Sequence, residues 1–295
     1  MKTIIITGAN GFIGSSLVDS LSQKYRLILL LRNKRNLKKT NYTFNKNTTL
    51  EFFKNNNELS IVLKRIKASW LIHCATHYVK QHNSHDISKI INSNIEFGTI
   101  LLDNLNIVGV KNFINFSTIW ENYDGIKDNS NNLYSASKQA FEKIINYYDA
   151  NNEKINFYKL IISDTYGEKD KRKKLVNILQ KNITDKKKMK IVSKNLFINL
   201  LNVNDIISGI HVLLENNIKP GKYNMINKEK FNINKLINQI QKKIKIKLKI
   251  KWLSSKKIDE KIYKYKSLPG WKPDGSSLDD LSLIHISEPT RRTPI

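Results

Sequence analysis

Tyr134-Ser135-Ala136-Ser137-Lys138 sets a phenol and an amine four residues apart, and on a helix that spacing puts both side chains on one face. A free tyrosine, with a pKa of about 10, is a poor acid–base group at neutral pH. A cation beside it favours the phenolate, and Lys138 is placed to supply that charge. Helices carry this spacing by chance, so it needs support from elsewhere in the chain. Ser117-Thr118 gives that support, following a predicted strand and preceding a loop that leads to Tyr134. A hydroxyl there can hydrogen-bond the carbonyl oxygen that the tyrosine protonates. The implied chemistry is proton transfer at a carbonyl.

Near the N-terminus, Thr7-Gly8-Ala9-Asn10-Gly11-Phe12-Ile13-Gly14 lies between a predicted strand and a predicted helix. Glycines at 8, 11 and 14 let the backbone turn tightly, approach a pyrophosphate and pack helix against strand. The helix N-terminus adds unpaired N–H groups and a favourable dipole. The spacing is GxxGxxG rather than the usual dinucleotide fingerprint, and an ordinary glycine turn is the alternative reading. The next strand ends in Leu31-Arg32-Asn33-Lys34-Arg35. A free ribose 2′-hydroxyl usually meets an acid at this place and a 2′-phosphate meets an arginine. There is no acid, so Arg32, with Arg35 beside it, points to NADP(H), with NAD as the alternative. A solvated basic loop is the competing reading.

The elements that must position these groups follow from short apolar runs and helical spacing. Strands are predicted over 2–7, 26–31, 50–53, 70–74, 112–117 and 156–162. Helices are predicted over 12–23, 59–67, 87–106, 133–148, 204–215 and 231–245. Strands alternating with helices indicate an α/β fold, a parallel sheet with helices on both faces. The expected organisation is a dinucleotide-binding domain over 1–165 and a smaller, mainly substrate-binding lobe over 166–280. No internal repeat is visible.

Composition narrows the classes further. Of 295 residues, 40% are hydrophobic and 26% charged, which allows a sizeable core and argues against global disorder. A single Cys excludes a disulfide framework. No apolar run approaches the roughly 20 residues of a membrane span, and the N-terminal run is too short for a secretion signal. A cytoplasmic protein is expected. Fifty-one Lys and Arg against 25 acids give a formal net charge of +26, a field that attracts polyanions. Lys, Asn and Ile dominate together, however, as in AT-rich coding sequence, and the lysines are spread along the whole chain. A nucleic-acid role therefore has little support.

Leu281-Ser282-Leu283-Ile284-His285-Ile286-Ser287-Glu288-Pro289-Thr290-Arg291 is the in-frame translation of a transposon mosaic end joined to a sequencing adapter. Residues 281–295 are read as an adapter-derived tail and left out of the fold.

TGANGFIG, the strand end His73-Cys74-Ala75-Thr76, Asn94 in SNIEFGT, Thr118, YxxxK and Leu201-Asn202-Val203-Asn204-Asp205 resemble, in this order, an extended short-chain dehydrogenase/reductase. The resemblance is to the NAD-dependent epimerase/dehydratase family of nucleotide-sugar enzymes and spans residues 1–280. Within it, ATHY, FINFSTIW and DTYGEKD are most similar to CDP-hexulose 4-reductases of the CDP-abequose synthase kind. The resemblance implies a Rossmann-type doubly wound sheet and a triad of Thr118, Tyr134 and Lys138. Gly8, Gly11, Phe12, Ile13 and Gly14 would hold the pyrophosphate, and Arg32 the adenosine phosphate. Ala75 and Asn94 would flank the cofactor, and Tyr134 and Lys138 would meet its nicotinamide half. His77 and Tyr78 would line the sugar site, with packing or surface roles as the alternative.

Asp164 and Tyr166 would also bind the substrate, standing where the family often has Asn and an aromatic, and Asp164 departs from that pattern. Arg172, Lys173 and Lys174 are either diphosphate ligands or a solvated charge run. Dehydratases of the family carry an acidic pair directly after the Ser-Thr. Ile119 and Trp120 stand there in this chain, which disfavours 4,6-dehydration. His73, His77, His82 and His85 lack the supporting acids or Cys of a metal site, and no metal is expected. The implied partners are a nucleotide sugar and a second copy of the chain, docked through the helices at 87–106 and 133–148. The expected activity is NADPH-dependent reduction of the C4 ketone of a nucleotide-activated deoxyhexulose in deoxysugar biosynthesis. The rivals are a 4-epimerase with retained NAD and, more remotely, a cofactor sensor or nucleic-acid-binding protein on the same fold.

Overall fold

The computed structural model describes residues 1–32, 46–167, 169–172, 174–175, 178–179, 182, 188–245 and 247–274. Arg35, Lys173 and the tail at 281–295 lie outside the described residues. The chain divides into two compact units, the first formed by Met1–Ser163, Ile206–Met225 and Lys261–Trp271. The second is formed by Asp164–Asp205, Ile226–Glu260 and Lys272–Ile295.

The first unit is built on runs that are apolar on both faces, the pattern of a parallel sheet covered on both sides. Such runs dominate β1 (Thr3–Thr7), β2 (Arg26–Leu31), β4 (Trp70–His73), β5 (Asn112–Thr118) and β6 (Asn156–Ile162), whereas β3 (Thr48–Phe52), at the sheet edge, reads TTLEF and is only partly buried. The strand Gly221–Met225 lies outside β6 and pairs with it from Gly221↔Tyr158 to Met225↔Ile162. From that edge the order runs through β6, β5, β4, β1, β2 and β3, every pairing parallel. This is the Rossmann order, with the sheet reversing direction at β1 and β4.

Helices α1 (Phe12–Leu21), α2 (Asn56–Arg65), α3 (Ser84–Ile91), α4 (Phe97–Asp103), α5 (Leu105–Val108) and α6 (Leu133–Ala150) connect the strands. Asparagines start several of them, because their side-chain oxygens accept the orphan N–H groups of a first turn. Asn55 caps α2 through Glu58 N, and Asn83 forms a reciprocal capping box with Asp86 on α3. Asn132 does the same with Ser135 on α6. One core cluster joins Ile5, Leu71, Phe113 and Phe157 of the sheet to Leu63, Phe97, Leu101, Phe141 and Ile145 of the helices.

The long helix expected over 87–106 is interrupted. A π-helical turn at Asn92–Glu96 stands between α3 and α4, and a break at Asn104 separates α5. The widened turn carries Asn94 in a buried position.

The second unit holds the short strands β7 (Asp164–Tyr166), β8 (Met189–Ile191), β9 (Leu196–Ile198) and β10 (Leu200–Asn202). Helix α7 (Val203–Glu215) leads from it back into the first unit, where Ser20 Oγ and His211 Nε2 are 2.9 Å apart. With β11 assigned to Gly221–Met225, the remaining elements are β12 (Phe231–Asn232), α8 (Ile233–Ile244), β13 (Ile250–Trp252) and β14 (Ile258–Asp259). Its sheets are small: β10 with β7, β12 and β14 flanking β9, and β13 with β8. They share a core of Tyr166, Leu179, Met189, Ile191, Leu200, Ile233, Leu236 and Ile237.

Candidate functional site

The glycine loop closes between β1 and α1 as its spacing requires. Gly8 has φ +64°, a region that disfavours side chains, and a Cβ there would sit 2.6 Å from Ala75 N. A Cβ on Gly14 would come 2.2 Å from Gly8 O, so α1 lies directly on the loop backbone. Gly11 N donates to Gly8 O at 2.8 Å, and Gly11 caps α1 without contributing a side chain. No acid stands in the first turn of α1. Its N–H groups, at Phe12, Ile13 and Gly14, and its dipole are arranged for an anion. Arg32, at the end of β2, is exposed, with its guanidinium carbon 5.5 Å from the Phe97 ring centroid.

Ala75 follows β4 and donates its N–H to Thr7 Oγ1 at 3.2 Å, which ties the loop after β4 to the end of β1. Asn94 then knits this loop to α6. Its Oδ1 accepts from Thr76 Oγ1 at 3.0 Å and His77 N at 2.7 Å, and its Nδ2 donates to Ser137 Oγ at 2.9 Å. Ser137 lies between Tyr134 and Lys138, so Asn94 anchors the helix turn that carries both.

Tyr134 stands in the first turn of α6, set by the Asn132 cap, with its ring half-buried. Tyr78 meets it edge-on, centroids 5.0 Å apart, and Tyr78 in turn packs on Trp120 at 6.3 Å. Trp120 is therefore part of the aromatic wall around Tyr134, a role its side chain could not have announced in sequence. Thr118 ends β5 and its Oγ1 accepts from Trp120 N at 3.3 Å. His77 places Nε2 4.0 Å from Asp86 Oδ1.

Lys138 is buried one turn beyond Tyr134. Burial pushes its ammonium down from the ordinary lysine value, while Glu121 and Cys74 pull it back up. Desolvation drives the half-buried Cys74 thiol up to about 12, against the pull of the Lys138 charge, which makes it a poor nucleophile. His73 is enclosed by Phe97, Phe113 and Phe141, with Nδ1 2.9 Å from Thr7 Oγ1. Burial, with the Lys138 charge as a lesser cause, lowers it to about 3, so it is a neutral core histidine. Among the described residues no group of three or more His, Cys, Asp or Glu is placed to hold a metal ion.

Sequence reasoning missed one group beside Lys138. Glu121 is fully buried, and Lys222 Nζ lies 3.7 Å from its Oε2 and 2.7 Å from Glu142 Oε1. Part of the signal was available, since Glu142 stands four residues after Lys138. Glu121 and Lys222 gave none, being 101 positions apart in a lysine-rich chain.

In the second unit Asp164 opens β7 and pairs with Lys174 at 2.7 Å. Tyr166 is buried in that unit's core. Arg172 grips Asp170 with two bonds, of 2.7 and 2.8 Å, and also donates to Thr165 Oγ1 at 2.7 Å. Arg172 and Lys174 thus form specific carboxylate pairs and are not members of a loose charge run.

The cradle at Gly8 and Gly14, the N-terminus of α1 with no side-chain cap, and the anchored residues Ala75 and Asn94 fit a nicotinamide dinucleotide. Sheet order, glycine cradle and Tyr–Lys helix together define a dinucleotide-dependent enzyme of the short-chain dehydrogenase/reductase type. The model of the NAD dependent epimerase/dehydratase family matches residues 4–226, and the chain belongs to that family.

Among its relatives is a CDP-abequose synthase of Yersinia pseudotuberculosis, 25% identical over 217 residues, 70% of this chain and 71% of the relative. Among solved structures, a UDP-glucuronic acid 4-epimerase from Bacillus cereus in complex with NAD superposes with TM-score 0.77 at 19% identity, covering 96% of this chain and all of that one (100%). A dTDP-glucose 4,6-dehydratase from Bacillus anthracis, also in complex with NAD, gives TM-score 0.77 at 20% identity over 98% of both chains. The chain is a nucleotide-sugar-modifying enzyme of this family. Among the described residues no helix is long and apolar enough to cross a membrane.

Proposed function

We propose that this enzyme reduces the C4 ketone of a nucleotide-activated deoxyhexulose with NADPH, in the cytoplasm. The supporting observation is the wall around Tyr134. Tyr134 heads α6 edge-on to Tyr78, Lys138 is buried a turn later, and Ile119 and Trp120 follow Thr118 where a dehydratase carries two acids. Neither side chain moves a proton, so Tyr134 is left as the donor. The similarity to a CDP-abequose synthase supports the same reading.

A bound nicotinamide supplies the hydride. Gly8, Gly11, Phe12, Ile13 and Gly14 would hold its pyrophosphate, Arg32 the adenosine 2′-phosphate, and Ala75, Asn94, Tyr134 and Lys138 the remainder. The Thr118 hydroxyl orients the ketone by donating to its oxygen. Tyr134 delivers its phenolic proton to that oxygen as the alkoxide develops. The Lys138 charge stabilises the phenolate left behind, which makes the tyrosine a usable acid near neutrality. His77 and Tyr78, both in the first unit, line the sugar site. We also infer a homodimer through α3 and α6, supported by the exposed apolar residues Ile87, Ile91 and Tyr147 on those helices.

The test is transfer from 4-deuterated NADPH to a panel of nucleotide 4-keto sugars. Deuterium at sugar C4 with stoichiometric NADP⁺ is expected. Inversion of a nucleotide sugar without NADPH consumption would replace the reductase by a 4-epimerase.

A further inference from the structure

Behind Lys138 lies a buried arrangement that the reaction as described does not use. Glu121 follows β5, Glu142 lies on α6 one turn after Lys138, and Lys222 reaches in from β11 at the sheet edge. Lys222 donates to Glu142 Oε1 at 2.7 Å; Oε2, although 2.6 Å from the same nitrogen, is not aligned for a hydrogen bond. Both Glu121 oxygens are buried and receive no hydrogen bond from a protein donor. The Tyr265 ring closes the outer side, its centroid 4.3 Å from Lys222 Nζ, and its hydroxyl accepts from Asn122 Nδ2 at 3.0 Å.

Lys222 donates to Glu142, so an ionised Glu121 would be a buried charge with no hydrogen-bond donor on either oxygen, which is strongly unfavourable. A proton shared between the carboxyls removes it. Both carboxyls lie against the same nitrogen, Lys222 Nζ being 3.7 Å from Glu121 Oε2 and 2.6 Å from Glu142 Oε2, and one O–H on Glu121 donating to Glu142 gives an unpartnered oxygen of each its partner. Burial, then the Glu142 charge, raises Glu121 well above the usual carboxylate range, against the opposing pull of Lys222 and Lys138.

We propose that Glu121 is a positioning residue for the tyrosine chemistry, sharing one proton with Glu142 against Lys222 and so governing how much charge Lys138 presents to Tyr134. This rests on the role of Lys138 given above. While Glu121 keeps its proton, Glu142 and Lys222 cancel and Lys138 carries its charge without support from a carboxylate. When Glu121 ionises, its carboxylate helps hold the Lys138 ammonium protonated, so the charge acting on Tyr134 persists to higher pH. The charged and titratable groups around Glu121 are Glu142 and Lys138 from α6, Lys222 from β11 with Tyr265 over it, and Cys74 after β4, which acts through Lys138.

The decisive measurement is infrared spectroscopy of the whole protein in heavy water, without substrate or cofactor. Glu260 in the second unit also holds a proton near neutrality, so the measurement is made in a Glu260→Gln background. That protein should show the carbonyl stretch of a protonated carboxylic acid at pH 7, and adding Glu121→Gln should remove it. Absence of the band in Glu260→Gln, or its persistence in the double variant, overturns the proposal. The Glu260→Gln spectrum alone decides the matter if the double variant does not fold.

In turnover, Glu121→Gln removes the carboxylate that sustains the Lys138 charge at high pH. The alkaline limb of kcat/KM should then move toward lower pH by about one unit, with the gap between the two enzymes widening as pH rises. A variant that is merely less heat-stable, with its limb in place, would reduce Glu121 to a packing role and refute the positioning. Failure of the deuteride assay with the infrared band present would refute the reductase reading and leave the carboxyl pair standing.

Discussion

Replacing Gly14 by alanine would set a methyl carbon 2.2 Å from Gly8 O, 2.8 Å from Gly8 C and 3.0 Å from Ala9 Cα. All three are backbone atoms of the loop, so no side chain can swing aside. Relief requires α1 to withdraw by roughly 1 Å from the loop, an overpacking of the kind that costs about 1–3 kcal/mol. At the scale of about 2–4 °C per kcal/mol for domains of this size, Tm should fall by roughly 2–12 °C. The withdrawn helix also carries the N–H groups proposed to meet the pyrophosphate, so NADPH affinity should fall by more than stability alone explains. Gly11→Ala is the internal control. There the new carbon meets only Gly8 O, at 3.1 Å, and the backbone at φ −84° accepts a side chain. Thermal denaturation and fluorescence titration with NADPH, run on both variants, check the argument. Equal Tm and equal affinity for the two would refute it, because the close approach of α1 would then have no energetic consequence.

Other substitutions probe the remaining parts. Arg32→Asp should weaken NADPH binding by the loss of a charged phosphate contact, about 1.5–3 kcal/mol, and improve NADH binding; titration of the wild type showing a preference for NADH would refute the assignment. Tyr134→Phe should lower turnover by about 10²–10⁴ with NADPH binding nearly retained, whereas Lys138→Ala should damage both, as steady-state rates and titrations would show. Glu260 in the second unit is raised to about 7, chiefly by burial, with the Asn199 N–H bond and the Lys230 and Lys174 charges opposing and Asp164 assisting. A folded value above the unfolded one means that the native state binds the extra proton, so this stability is full below about pH 4.5 and is lost as pH rises through 7. Glu260→Gln should flatten that part of the stability–pH curve, measured by denaturant unfolding.

The sheet was legible because its strands are continuous apolar runs such as TIIIT and RLILLL, which only a doubly covered sheet can bury. Helix α6 was legible because Asn132, Tyr134 and Lys138 fall in a single stretch with a cap at its head. The turn at Asn92–Glu96 was not, since a π-helical turn breaks the 3.6-residue period that any reading of a helix assumes. The short strand at Gly221–Met225 was likewise unread. GKYNM has weak alternation, and only the edge of a seven-stranded sheet gives it a partner. With that strand comes Lys222, so the Glu121–Glu142–Lys222 group was invisible for the same reason. The aromatic wall of Tyr78, Tyr134 and Trp120 depends on loop geometry that spacing does not encode.

The asparagines that open the helices have a consequence for how this gene can change. Asn and Lys codons differ only in the third base, so a gene rich in both exchanges one for the other by single-base substitution. On a solvent-facing stretch the exchange swaps one polar side chain for another. At Asn55, Asn83, Asn132 or Asn232 it removes the oxygen that receives a first-turn N–H, at a cost of about 1 kcal/mol each. It also sets a cation at the positive end of the helix dipole. Drift between the two residues is therefore filtered by helix starts, and the filter is tightest at Asn132, where a slipped cap would turn Tyr134 away from its place.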